Sequence, residues 1–389
     1  MGAGAAGAAS AATAAVQPAV DRVTRYASIG NDRVILLIPE DICPSQEIQL
    51  LLLETATESL RYAEDFFGSY LSHPVVHLWL NAGEKTGSVV PPMGAFAMAT
   101  CRVTDESGSV PRTPDEVQRY AYLMVHEYSH LLHALHMRMT YPSLLEGFAS
   151  LAPQHARRDG LREAMEPKET DELAAGDDQW VLPSHIAAAS TLKAGILPPV
   201  RQALTQGRSA LGVWDEWMLY TITPSLLGFI DEQFGRPTLT DIFRHCPEAT
   251  GPTGQVVEAG SAYDELFDTF ERYTGIPLDE LEDQWHCRLA ELDVDNRLVA
   301  AVKLLKDLDR TEMTSLIWAL HTRGKKLDLE FLGAFAELRA DILKFGSLSA
   351  ASPDTGIAAD DTGLSEELLS ERIDRLVEWA QELWRRAYK

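Results

Sequence analysis

At 389 residues, with 46% apolar and 24% charged side chains, the chain has the make-up of a folded globular protein of two or three domains, not of a disordered one. Its formal net charge of −24 sets it against phosphate backbones and anionic lipid surfaces, so neither nucleic acid nor membrane is an expected partner. Four scattered cysteines (Cys43, Cys101, Cys246 and Cys287) with no C-x-x-C pair argue against a cysteine metal site and a dense disulfide framework, and no run approaches the ~18 apolar residues of a membrane span.

The opening Met1 to Val16 is Ala/Gly-rich without a basic n-region or a Leu-rich core, so residues 1–20 read as a flexible leader and cytoplasmic residence is the expectation. Its G-x-G-x-x-G at Gly2 to Gly7 has no strand before it and is an accident of composition. Arg33 to Glu40 (RVILLIPE) predicts a buried strand, Gln46 to Tyr70 a long helix, Pro74 to Leu80 (PVVHLWL) a second strand and Gly94 to Val103 a third. Thr113 and Pro114 open a helix that runs past Met137, and another begins near Leu144. Arg157 to Asp178, rich in charge and poor in apolar anchors, reads as a surface excursion. Helical spacing returns over Trp214 to Phe234, around Leu239 to His245, Ser261 to Tyr273 and Leu278 to Leu292, and again over Val299 to Leu343 and Ser365 to Tyr388, these last two separated by a Ser/Asp/Gly-rich linker from Gly346 to Gly363. The expected class is α+β, helix-rich, with an α/β part over 21–140 and a helical part over 141–292 forming one domain, then an α-helical C-terminal region over 293–389.

His126-Glu127-Tyr128-Ser129-His130 carries the chemistry. Residues four apart on a helix project from one face, about 6 Å apart along the axis, so His126 and His130 can offer nitrogens to one Zn²⁺. Glu127 sits one residue round, placed to take a proton from a water on the ion as general base. Because Tyr120 to Leu135 is otherwise strongly apolar, these polar side chains are being buried, and a metal is the partner that would offset the cost. A catalytic zinc needs a third protein ligand and an open fourth position. His136 has the spacing of H-E-x-x-H-x-x-G-x-x-H, but His133 stands where that motif needs its glycine. On an unbroken helix His136 lies about 15 Å along the axis from His126 and is rotated well away, which makes it the weaker candidate for the third ligand. His133 reads as a core or supporting histidine. Glu146, flanked by apolar residues at the start of the next helix, is the better third ligand and gives a His₂Glu site.

These residues resemble the gluzincin metallopeptidases, in particular peptidase MA-like domains, whose pattern is H-E-x-x-H, then P-x-W-L-x-E-G-x-A, then Y-x(14)-G, then G-x(6)-E-x-x-W. The matches are His126, Glu127 and His130, then Leu144, Glu146, Gly147 and Ala149, then Tyr220 with Gly235, then Gly275, Glu282 and Trp285, over roughly residues 75 to 292. The resemblance implies a zincin-like fold, one zinc ion on His126, His130 and Glu146, Glu127 as general base, and Tyr220 as a phenol able to donate to the oxyanion of a peptide or protein substrate. Two departures stand out: Ser143 replaces the tryptophan, and Ser150 stands where many relatives carry an acid that steadies a ligating histidine. Gly94 to Met98 resembles the G-x-M-E-N strand of zinc aminopeptidases but lacks its glutamate, so endopeptidase action is favoured over aminopeptidase action. The alternatives are a zinc-binding protein without turnover and a helical interaction or scaffold protein. Neither the peptide cleaved nor the oligomeric state is legible.

Overall fold

A computed structural model of the chain describes residues 25–80, 87–89, 97–102, 111–136, 141–159, 161, 184–205, 214, 217–247, 259–309, 329–347 and 364–387. The expected leader, residues 90–96 with the start of the expected third strand, most of the charged stretch from Arg157 to Asp178 and most of the Gly346 to Gly363 linker lie outside the described residues. The rest is α+β and helix-rich. The sheet consists of β1 (Tyr26–Gly30), β2 (Val34–Pro39), β3 (Val75–Leu80), β4 (Gly87–Val89) and β5 (Ala97–Arg102) in the order β1-β2-β3-β5-β4. β2, β3 and β5 run parallel in the middle, while β1 and β4 pair antiparallel at the edges.

Parallel neighbours need a crossover, and α1 (Gln46–Phe67) supplies it between β2 and β3. Ser45 accepts the Ile48 N–H at its start, and the helix stops at Gly68, whose φ of 57° is the left-handed conformation a glycine adopts without a Cβ penalty. The helix is therefore three residues shorter than its apolar spacing predicts. α2 (Pro114–His136) follows β5, and α3 (Pro142–Arg158) packs against α2. Further helices cover Ser184–Lys193, Val200–Thr205, Thr223–Phe234, Arg236–His245, Ala259–Thr274, Leu278–Ala290, Asn296–Leu308, Leu329–Ser347 and Glu366–Ala387. Among the described residues no helix is long and apolar enough to cross a membrane, and Cys43, Cys246 and Cys287 are free thiols.

α2 is two-faced, and its two faces build the site. Tyr120 and Tyr128, two turns apart, point at the sheet: Tyr120 meets the Trp79 ring edge-on at 5.3 Å and the Tyr128 hydroxyl bonds His77 Nδ1 at 2.7 Å. Burial of His77, central in β3, pushes its imidazole down to about 3, so it is the neutral partner of that phenol. With 3.6 residues per turn, His126 lies on the side of α2 opposite Tyr128 and faces α3 with His130 and His133. The sheet-facing contacts of Tyr120 and Tyr128 thus fix the rotation of the helix that aims the histidines.

Candidate metal centre

His126, His130 and Glu146 come together as the only group of metal-ligand geometry found among the described residues. The Nε2 atoms of His126 and His130 are 3.0 Å apart, and Glu146 Oε2 lies 3.5 Å from the first and 3.4 Å from the second. Ligand bonds of about 2.0–2.1 Å at tetrahedral angles place zinc ligands about 3.3 Å from one another. The three edges of this triangle match that spacing, so the donor set fits one small divalent ion with a fourth direction left over. Burial by itself raises the Glu146 carboxyl, but the imidazoles of His126 and His130, whenever they are protonated on the Nε2 atoms that face it, outweigh burial and hold the group well below the usual carboxylate range. Glu146 is a carboxylate, as a metal-binding group needs to be.

His126 is fixed from behind. Its Nδ1 lies 2.9 Å from the Ala149 carbonyl oxygen, which can only accept, so Nδ1 carries the proton and Nε2 turns its lone pair to the cluster. Ser150, at the position where the resemblance leads one to look for an acid, donates its hydroxyl to the Glu146 carbonyl of its own helix at 2.6 Å. The support that Ser150 cannot give is supplied by a backbone carbonyl one residue earlier. Ser143, in place of the tryptophan, donates to the Leu204 carbonyl and ties the start of α3 to helix Val200–Thr205.

Glu127, next to His126 in the sequence, is buried. Tyr220 is half-buried, its ring centroid 6.4 Å from that of His126. It sits on a π-helical turn, Met218–Ile222, closed by the Thr223 N–H bonding the Met218 carbonyl. Pro224 explains the wider register: it has no N–H for the Tyr220 carbonyl, and its ring crowds that oxygen. Thr223 in turn rests on Gly147, where a Cβ would come within 2.7 Å of its methyl carbon. The glycine beside Glu146 is what lets the Tyr220 segment approach α3 so closely.

The other histidines of α2 do not join the cluster. His133 is buried between the rings of Phe148 and Phe243, at 5.6 and 4.8 Å, as a core histidine. The backbone stays helical through His136, without the turn that would swing a histidine back, and the His136 side chain is outside the described residues. Glu282 and Trp285 are tethers: Glu282 Oε2 accepts the Val200 N–H at 2.7 Å, and Trp285 Nε1–H donates to Ser225 Oγ at 3.2 Å.

Sequence reasoning missed two polar assemblies. Ser225 Oγ is 2.9 Å from His185 Nδ1, and His185 Nε2 is 3.5 Å from Glu232 Oε1. Ser225 is fully buried and already bonded by Trp285, so this is an internal strut. At the far end of α3, His155 Nδ1 accepts from Arg158 at 2.7 Å and from Arg236 at 3.2 Å, and Arg236 makes a two-pronged bond to Asp231, 2.7 Å on each arm. Its members lie up to 81 residues apart, beyond the reach of any local motif. Compared with known protein families and curated proteins, the chain matches no family model and no curated sequence.

Proposed function

We propose that the protein is a zinc-dependent peptidase of the gluzincin kind with a zincin-like domain, acting within peptide or protein chains. The observation that carries the reading is the triangle of two imidazole Nε2 atoms and one carboxylate oxygen at 3.0, 3.4 and 3.5 Å. His126, His130 and Glu146 hold the ion. Bound there, zinc supplies Lewis-acid polarisation of a carbonyl and a water acidic enough to react near neutral pH. The Glu127 carboxylate, one residue round the helix from His126, takes the proton of the attacking water and hands it to the leaving amine. Its burial keeps bulk water from competing for that proton. Tyr220, with its ring 6.4 Å from that of His126, is the phenol that would donate to the oxyanion as the carbonyl carbon becomes tetrahedral.

Cleavage of a peptide mixture by protein purified without an affinity tag tests this, with products identified by mass spectrometry. Wild type is expected to cut internal bonds and to carry one zinc per chain. Glu127→Gln is expected to keep the zinc and lose cleavage by a factor of about a hundred or more, the scale of a positioned acid–base group. Cleavage unchanged in Glu127→Gln leaves a zinc-binding protein without turnover, and absence of zinc leaves a helical interaction protein.

A further inference from the structure

α3 contains a proline in its interior, Pro153, and the residue four positions before it is Ala149. In an unbroken α-helix the amide at position 153 would donate to the Ala149 carbonyl. Proline has no N–H, and its ring pushes against the carbonyl of the residue four before it. The Ala149 oxygen is thereby without the amide donor that position 153 supplies in an unbroken helix. It is this oxygen that receives the His126 Nδ1–H at 2.9 Å across the α2–α3 interface. Ala149 and Pro153 are both buried, so the freed carbonyl has side chains rather than bulk solvent around it.

We propose that Pro153 is a positioning residue for the metal centre, one that frees a backbone carbonyl to set the tautomer and ring orientation of the ligand His126. The proposal rests on the reading of His126, His130 and Glu146 as an ion site. It assigns to an interior proline the work that a carboxylate performs in many histidine metal sites, where the second ring nitrogen donates to an acid. It also gives this helix a reason to tolerate a residue that removes one of its own hydrogen bonds. The carbonyl is a neutral acceptor, so the site keeps a lower negative charge than an Asp or Glu at position 150 would give it.

The test is Pro153→Ala in the full chain, measured in two ways. Zinc titration into chelator-stripped protein is expected to give one ion per chain with affinity weakened about 10- to 100-fold, the loss typical when such a supporting contact is disturbed. The urea midpoint of the stripped variant is expected to be equal to or above that of stripped wild type, because alanine restores a helix bond that proline forbids. Weaker metal binding in a fold of equal or greater stability is a combination that a merely structural proline cannot produce. Unchanged affinity overturns the proposal, and so does a loss of affinity that only follows a lowered urea midpoint.

A second measurement does not depend on metal. The His126 Nδ1–H proton of stripped wild type is expected to be slow to exchange in NMR and to exchange faster, with an upfield shift, in Pro153→Ala. An unchanged resonance overturns the proposal whether or not zinc binds. Failure of wild type to bind zinc overturns the ion-site reading instead.

Discussion

Helix α3 carries a buried histidine–carboxylate cluster near each end, and the two are built on opposite plans. Near its start, Glu146 meets two imidazole nitrogens in a triangle of 3.0 to 3.5 Å. Near its end, His155 and Asp231 meet Arg158 and Arg236, and the Arg236 guanidinium also lies 3.7 Å over the Phe66 ring. In the second cluster the protein supplies the positive charge itself and the histidine is a neutral acceptor. In the first, three electron-pair donors are gathered at the mutual spacing of ligands round one ion. Burial and histidine content are shared, so neither marks a metal site. The identity and convergence of the donors separate the two.

Metal removal should break the comparison most sharply. With zinc held about a thousandfold above its dissociation constant, binding only to the folded state stabilises by about 4 kcal/mol, so a chelator is expected to lower the melting temperature of wild type and to move Glu146→Ala far less. Equal chelator sensitivity in both would place the metal elsewhere.

Acid should act on the other end of the helix. Burial, with Arg158 and Arg236 adding to it, holds His155 down to about 4, against an unfolded value near 6.5. Between those values the unfolded chain binds the extra proton, so the stability His155 contributes is complete above pH 6.5 and is lost as pH falls toward 4. The full effect is on the order of 3 kcal/mol. Urea denaturation of chelator-stripped protein between pH 7 and 4.5 is expected to show a shallower fall for His155→Gln than for wild type. Equal slopes would remove His155 from the account.

Arg236→Ala leaves Asp231 buried with less of its charge compensated. Loss of one partner of a fully buried pair costs roughly 3–5 kcal/mol; because the Arg236 side chain is 33% exposed, about 2 kcal/mol of lost stability is expected in urea, with zinc affinity within about twofold of wild type. A parallel loss of zinc would mean that the two ends of α3 are one unit.

Gly147→Ala should give the smallest change. Overpacking against Thr223 costs about 1–3 kcal/mol, and the better helix propensity of alanine returns about 1. A net loss of about 1 kcal/mol is expected in urea, with zinc stoichiometry kept and peptide cleavage reduced because Tyr220 is displaced. Undiminished cleavage would detach the Tyr220 turn from the site.

The parts of the fold legible in the sequence are those whose signal is local and strong. RVILLIPE and PVVHLWL are dense apolar runs, and they are strands β2 and β3. β1 (YASIG) alternates exposed and half-buried residues at a sheet edge, so its strand character comes from pairing with β2 and not from its own composition. Helix Ser184–Lys193 (SHIAAASTLK) likewise carries no local signal, because alanine and serine give it no amphipathic stripe while six of its residues are buried. In the site, H-E-x-x-H declares itself because both histidines sit on one helix, and Glu146 could be chosen from its apolar flanks. The Ala149 carbonyl was not visible: no side chain marks a backbone oxygen as an acceptor, and Pro153 signals it only once the helix through it is known.

Zinc titration into chelator-stripped, tag-free full-length protein, beside Glu146→Gln, is the most direct test of the claim that these three side chains form one ion site. The account predicts a single tight site per wild-type chain and binding at least about a hundredfold weaker in Glu146→Gln, since each ligand carries a several-kcal/mol share of a structural zinc site's total. Equal binding by the two proteins, or none by wild type, would contradict it.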